Sequence, residues 1–179
     1  EESGIKVVTK HELLTLHSHT KTIILKNLED DTLIEDTYDR LLIATGASAI
    51  IPPFEGVQLK HILPLKQFSD GLVMKEILSN PEVNQVTVVG GGYIGIEVAE
   101  NLIQIGKKVR IIELAGRLLL PFEAEISEFA KEELIRLGVE IHLEEKVERF
   151  LDQSGNGIVD TVTTNKGDYY TDLVVMAIG

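Results

Sequence analysis

At 179 residues and 44% apolar, the chain suits one ordinary domain or parts of two, with enough apolar residues for a real core. It has no cysteine, which excludes disulfides, thiolate metal sites and thiol redox chemistry carried by these residues. Its net charge of -12 comes with no basic cluster, arguing against nucleic acid and anionic membrane surfaces as partners.

The N-terminal third alternates apolar and polar residues, predicting short strands near residues 5 to 8, 12 to 16, 22 to 27 and 32 to 36. Polar turns such as Asn27-Leu28-Glu29-Asp30-Asp31 would join them as an antiparallel meander. A buried strand over 40 to 44 is expected next, then Pro52-Pro53-Phe54-Glu55-Gly56, whose fixed backbone angles suit a crossing between domains. A helix is predicted over 69 to 79, capped by Ser69 and stopped at Asn80-Pro81. An apolar strand, Val86-Thr87-Val88-Val89, then runs through glycines into a helix with Ile94, Val98, Leu102 and Ile105 on one face. A second strand, 109 to 112, ends at Glu113. A helix over 123 to 137 would place Ile126, Phe129, Ala130, Leu134 and Leu137 in the core and end at Gly138, a good left-handed cap. Strand 139 to 143, a second meander from about 146 to 170 and a closing strand 173 to 178 complete the pattern. The fold class is α/β: a Rossmann-like, doubly wound parallel sheet with an antiparallel meander, plus part of a second domain.

The run Gly90-Gly91-Gly92-Tyr93-Ile94-Gly95 between strand and helix carries the chemistry. Gly90 permits a tight turn, Gly92 lets backbone approach a pyrophosphate, and Gly95 lets the helix lie close on the strand. The helix start supplies free N–H groups and a positive dipole end, so an acidic protein can hold a diphosphate without lysine or arginine. Glu113, eighteen residues beyond Gly95, stands where a carboxylate accepts hydrogen bonds from an adenosine ribose and repels a 2′-phosphate. NADH is therefore expected over NADPH, with Arg117 and Lys107-Lys108 near enough in sequence to leave room for a phosphorylated ribose.

Two segments echo each other: Tyr38-Asp39-Arg40-Leu41-Leu42-Ile43-Ala44-Thr45-Gly46 and Thr171-Asp172-Leu173-Val174-Val175-Met176-Ala177-Ile178-Gly179. Gly4-Ile5-Lys6-Val7 likewise matches Gly138-Val139-Glu140-Ile141 at nearly the same offset. If the copies are built alike, residues 1 to 46 are the end of a dinucleotide unit whose own glycine loop precedes Glu1. Coincidence among short apolar strands is the other reading.

With the glycine loop, its acid, Leu119-Leu120-Pro121-Phe122-Glu123 and both Ala-x-Gly ends in view, the chain resembles the pyridine nucleotide-disulfide oxidoreductase family of flavoproteins. It is most similar to the coenzyme A-disulfide reductase, NADH oxidase and NADH peroxidase branch. The resemblance implies that residues 1 to 51 are the later part of an FAD-binding segment and 52 to 179 the NADH-binding domain. Ala44, Thr45 and Gly46 would lie beside FAD. Tyr93 would be a movable gate, Ile94, Ala177, Ile178 and Gly179 would line the nicotinamide side, and Glu97 would sit near the nicotinamide amide. On residue chemistry alone, Tyr93 also reads as an aromatic packing at a helix start and Glu97 as an acid favoured by the dipole.

The resemblance covers only the middle of a family member, so no catalytic residue is expected here. FAD would belong to the parent, an enzyme and homodimer, and the fragment alone would be inactive. Alternatives are an NADH-dependent ferredoxin, rubredoxin or nitrite reductase component, and a non-catalytic NADH-sensing module. A cytoplasmic location and no membrane partner are expected, because no apolar run reaches span length and Glu1-Glu2-Ser3-Gly4 lacks the regions of a signal peptide. No metal site is expected: His17 and His19 lack a third ligand. His142 is expected to face solvent on an alternating strand, His11 and His61 have no catalytic partner, and turn composition accounts for Glu144-Glu145.

Overall fold

Alternating residues in the N-terminal third close into a three-stranded antiparallel sheet in the computed structural model, which describes residues 4–49 and 51–178. Strands β1 (His11–His17), β2 (Thr22–Asn27) and β3 (Leu33–Thr37) pair in that order, with Leu13 opposite Leu25 and Leu25 opposite Ile34. The β2–β3 turn is tied by its own side chains: Asn27 accepts the Glu29 N–H at 2.9 Å, and Asp30 the Thr32 N–H at 3.0 Å. Residues 5 to 8 and 40 to 44, expected as strands, form none. A strand exists through ladder bonds to a neighbour, and no described strand pairs with either segment; Leu42 is 88% exposed.

The chain divides into two compact units between Gly46 and Ala47. In the second, β4 (Ile62–Pro64), α1 (Phe68–Leu78), β5 (Gln85–Val89), α2 (Tyr93–Gln104), β6 (Lys108–Ile112), α3 (Ala124–Arg136) and β7 (Glu140–His142) precede a meander. That meander consists of β8 (Val147–Leu151), β9 (Thr161–Thr164) and β10 (Asp168–Tyr170), and β11 (Leu173–Met176) follows it. The five strands β4-β11-β5-β6-β7 form an all-parallel sheet, with β11 inserted between β4 and β5.

The sheet is buried on both faces, which is why its strands read as continuous apolar runs. Val86, Val88, Ile111 and Val175 face the helices with Val98, Leu102 and Leu134. Val89, Ile112, Val174 and Met176 face the meander with Phe150 and Val162. The second face is thus covered by the β-meander, where a doubly wound sheet has helices.

Three helix details differ from expectation. The cap of α1 is Gln67 instead of Ser69, and the Asp70 carboxylate accepts the N–H groups of Lys66 and Gln67, both at 2.8 Å. In α3 the inward residues are Ser127 and Leu134, while Ile126 and Phe129 are exposed; one residue of offset turns a side chain by about 100°. In α2, Val98, Ala99 and Leu102 are buried, whereas Ile94 and Ile105 remain exposed at its ends. Gly138 takes φ +95, ending α3 in the left-handed region. Among the described residues no helix is long and apolar enough to cross a membrane.

Candidate functional site

Three strand ends converge where β5 stops. The Gly90 N–H donates to the Ile112 carbonyl at 2.9 Å, and the Ala177 N–H donates to the Val89 carbonyl at 2.8 Å. Gly90 turns the chain with φ +111, and a Cβ there would sit 2.7 Å from the Ala177 carbonyl oxygen. A Cβ at Gly95 would collide with the Gly90 carbonyl, so that glycine sets how closely α2 lies on the turn. Gly92, the N-cap of α2, faces open space where a side chain would be. The first helical bond runs from the Ile96 N–H to the Gly92 carbonyl at 3.0 Å. N–H groups ahead of it have no partner inside the helix and form a cradle for an anion.

Glu113, half-buried at the end of β6, is folded onto this turn. Its Oε2 accepts the Gly91 N–H at 2.5 Å and its Oε1 the Ala115 N–H at 2.7 Å. Leu118, fully buried, covers Gly91, and the Leu119 N–H donates to the Gly91 carbonyl at 2.9 Å. Lys107 and Lys108 do not approach this acid. Lys107 donates to the Val83 carbonyl at 2.6 Å, and Lys108 opens β6 at the end away from Glu113, about 16 Å from it along the extended chain. Arg117, the remaining base of the three, donates to the Leu120 carbonyl at 3.0 Å.

The Tyr93 ring is exposed and meets Phe122 edge-on, centroids 5.2 Å apart. Ile94 and Glu97, both exposed, line a groove of about 840 Å³ between α1 and α2, with Leu65, Met74 and Val98 in its walls. Ala177 and Ile178 are half-buried past the end of β11; Gly179 lies outside the described residues. Ala44, Thr45 and Gly46 belong to the first unit and are exposed, Gly46 with φ +72.

A polar cluster beneath Glu113 went unanticipated. His142 does not simply face solvent: its Nε2 is 2.6 Å from Glu140 and its Nδ1 3.0 Å from Glu145. Nor is Glu145 a solvated turn acid; its side chain is 2% exposed. Arg110 pairs with Glu140 and stacks over the Tyr169 ring, 4.5 Å from its centroid. Burial opposes the charge on Glu145, but hydrogen bonds from Thr164, Tyr169 and His142 hold its carboxyl below the usual range. Glu140 is likewise lowered, burial being outweighed by Arg110 and His142. The alternation Glu140-Ile141-His142 was the available signal, since it puts acid and imidazole on one strand face. His61 spends its Nδ1 on the Asp172 carbonyl at 3.0 Å. Among the described residues no three potential ligands gather around one point.

A family model described as Pyridine nucleotide-disulphide oxidoreductase matches residues 1–179. The NADH oxidase of Lactococcus lactis subsp. cremoris is 36% identical over 182 residues, covering 100% of this chain and 40% of its own length. The solved structure of the water-forming NADH oxidase from Lactobacillus brevis, bound to NADH, has a TM-score of 0.81 at 28% identity, over 94% of this chain and 37% of its own. An engineered water-forming NADPH oxidase made from that protein, bound to NADPH, has a TM-score of 0.81 at 26% identity, with the same shares. The chain spans well under half the length of these relatives.

Proposed function

Because the chain belongs to the pyridine nucleotide-disulphide oxidoreductase family, we propose that residues 52 to 179 are the NADH-binding domain of an FAD-dependent oxidoreductase and residues 1 to 51 the later part of its FAD-binding segment. One observation carries the reading: the Glu113 carboxylate lies 2.5 Å from the Gly91 N–H, at the mouth of a glycine turn that opens α2. The diphosphate of NADH sits on the N–H groups at the start of α2, where Gly92 leaves the approach clear. Each Glu113 oxygen, having accepted one N–H, keeps a lone pair for an adenosine ribose hydroxyl. Its charge repels a 2′-phosphate.

The engineered NADPH-using relative supports this choice of nucleotide. In it a glycine and, eighteen residues later, an aspartate were both replaced by alanine, and the residue after the aspartate by arginine. Gly95 and Glu113 here have the same separation, with Leu114 next.

Tyr93, Ile94 and Glu97, with Ala177, Ile178 and Gly179, form the nicotinamide side, and Ala44, Thr45 and Gly46 lie beside FAD in the parent. When bound, NADH supplies a hydride and FAD accepts it. The chain's contribution is position: the α2 cradle fixes one end of the dinucleotide, Ile94 excludes water from the other, and the exposed Tyr93 ring swings off Phe122 to admit it. The parent is a homodimer whose terminal acceptor (dioxygen, peroxide or a coenzyme A disulfide) meets residues outside this chain.

Calorimetric titration of the chain with NADH and NADPH tests the proposal. NADH should bind tighter by about tenfold or more, the scale of one unscreened like-charge contact. The double variant Glu113→Ala, Leu114→Arg should reverse that order. Absence of NADH binding would overturn the reading.

A further inference from the structure

The turn between β8 and β9 contains the chain's one Asn-Gly pair, Asn156-Gly157. Asparagine loses its side-chain amide most readily before glycine, which has no Cβ to keep its own nitrogen away from the neighbouring side-chain carbonyl carbon. Both residues are exposed, and Gly157 takes φ +80 with open space where a Cβ would be. Nothing steric shields the pair.

Hydrogen bonds restrain it instead. The Gly157 N–H donates to Asp152 Oδ2 at 2.6 Å, and the N–H groups of Gly155 and Asn156 donate to Oδ1 at 2.7 and 3.2 Å. Asn156 Oδ1 accepts the Ile158 N–H at 2.8 Å, which fixes the carboxamide. Ring closure needs the Gly157 nitrogen to give up its proton and aim the freed lone pair at Asn156 Cγ. In the closed turn that direction belongs to Asp152, whose negative charge also opposes a second anion beside it. The Gly157 N–H is the foremost of the bonds holding the Asp152 carboxyl below the usual carboxylate range, and so low a carboxyl is a poor base for an amide proton.

We infer that Asn156 is a spontaneous deamidation site guarded by Asp152: the closed turn is inert, and opening of the turn commits Asn156 to reaction. In the open turn the Gly157 nitrogen, its proton lost to solvent, bonds to Asn156 Cγ. The Cγ–Nδ2 bond breaks, and the nitrogen leaves as ammonia after taking a proton from water. Water then opens the cyclic imide at either carbonyl, giving aspartate or isoaspartate with no change of oxidation state.

Both products add a carboxylate to a turn that already holds Asp152 and Asp160, and isoaspartate also lengthens the backbone by one carbon. That backbone is docked just ahead of β4: the Gly157 carbonyl accepts the Lys60 N–H at 3.0 Å, and the Val159 N–H donates to the Lys60 carbonyl at 3.1 Å. Deamidation therefore turns a passing opening into a lasting one.

The experiment incubates the chain in mildly alkaline buffer, native and unfolded in urea, and follows acid formation at residue 156 by mass-spectrometric peptide mapping. The native chain should react at least about tenfold more slowly, the scale of one hydrogen bond to a charged group. Asp152→Ala should raise the native rate by a similar factor, and Asn156→Ser, which keeps an acceptor for the Ile158 N–H, should form no acid. Hydrogen exchange gives a measure free of substitutions: Gly157 amide exchange and Asn156 deamidation should rise by the same factor as urea is added below the unfolding transition. The deamidated chain should lose exchange protection at the Lys60 and Val159 amides. Equal rates in native and unfolded chain, a native rate unchanged in Asp152→Ala, or a Gly157 amide that exchanges freely while Asn156 stays intact would overturn the guard. Unchanged protection at Lys60 and Val159 would overturn the lasting opening.

Discussion

Tyr170 donates its hydroxyl hydrogen to Asp172, whose other carboxylate oxygen receives the N–H groups of Asn84 and Gln85 at 2.9 and 2.7 Å. One acid therefore joins the entry of β5 to the segment leading into β11. The bond to Asp172, reinforced by burial, pushes the Tyr170 phenol from 10.0 up to about 12. A phenol whose folded value is raised contributes stability that is fully present below its unfolded value near 10 and lost as pH rises through about 12. Urea midpoints measured in steps across that window should fall, and Tyr170→Phe should flatten the fall. Equal slopes in the two proteins would show that the bond carries no linkage.

Helices show how little a one-residue offset in a face leaves to chance. Both Phe129 and Leu134 fall on the apolar periodicity of α3, yet Phe129 is 71% exposed and Leu134 only 3%. Leu134→Ala should cost about 2–5 kcal/mol, since it opens a cavity against Val139 and the sheet core. Phe129→Ala should stay within about 0.5 kcal/mol, as expected of a surface change. Denaturant unfolding of the two variants separates these outcomes, and comparable losses would mean that the outer face of α3 is covered in solution. The turn before α2 has the opposite character: Gly90 and Gly95 are each hemmed in by backbone, while Gly92 is open.

At the scale of the whole molecule, each unit is organised around its own sheets, and the second is a stack of helices, parallel sheet and meander. Phe150 on β8 joins the layers. Its side chain is 1% exposed, meets Phe54 edge-on at 5.8 Å and packs among Val89, Ile112, Val174 and Met176. Gly56 lies so close to the Phe150 carbonyl that a Cβ would collide with it, and the Phe150 N–H donates to the Glu55 carbonyl at 2.8 Å. Phe150→Ala should therefore cost about 3–5 kcal/mol. The loss should appear at one midpoint by both circular dichroism and tyrosine fluorescence, because meander and parallel sheet share that core. Two separate midpoints would show that the layers unfold independently.

Short-range patterns were readable in the chain itself. The apolar runs of β5, β6 and β11, the glycine turn, the acid eighteen residues past Gly95 and the α/β class all follow from residue types a few positions apart. Other features needed the folded chain. Ile62–Pro64 forms the sheet edge because β11 lies beside it, while the equally apolar 40 to 44 finds no described neighbour and forms no strand. Lys107 and Lys108, close to Glu113 in sequence, are carried to the far end of β6. His142 and Glu145 join a polar cluster only because Arg110, Thr164 and Tyr169 arrive from other strands. Periodicity acts through the backbone of one segment, whereas burial, pairing and charge state are set by whatever distant segment packs against it.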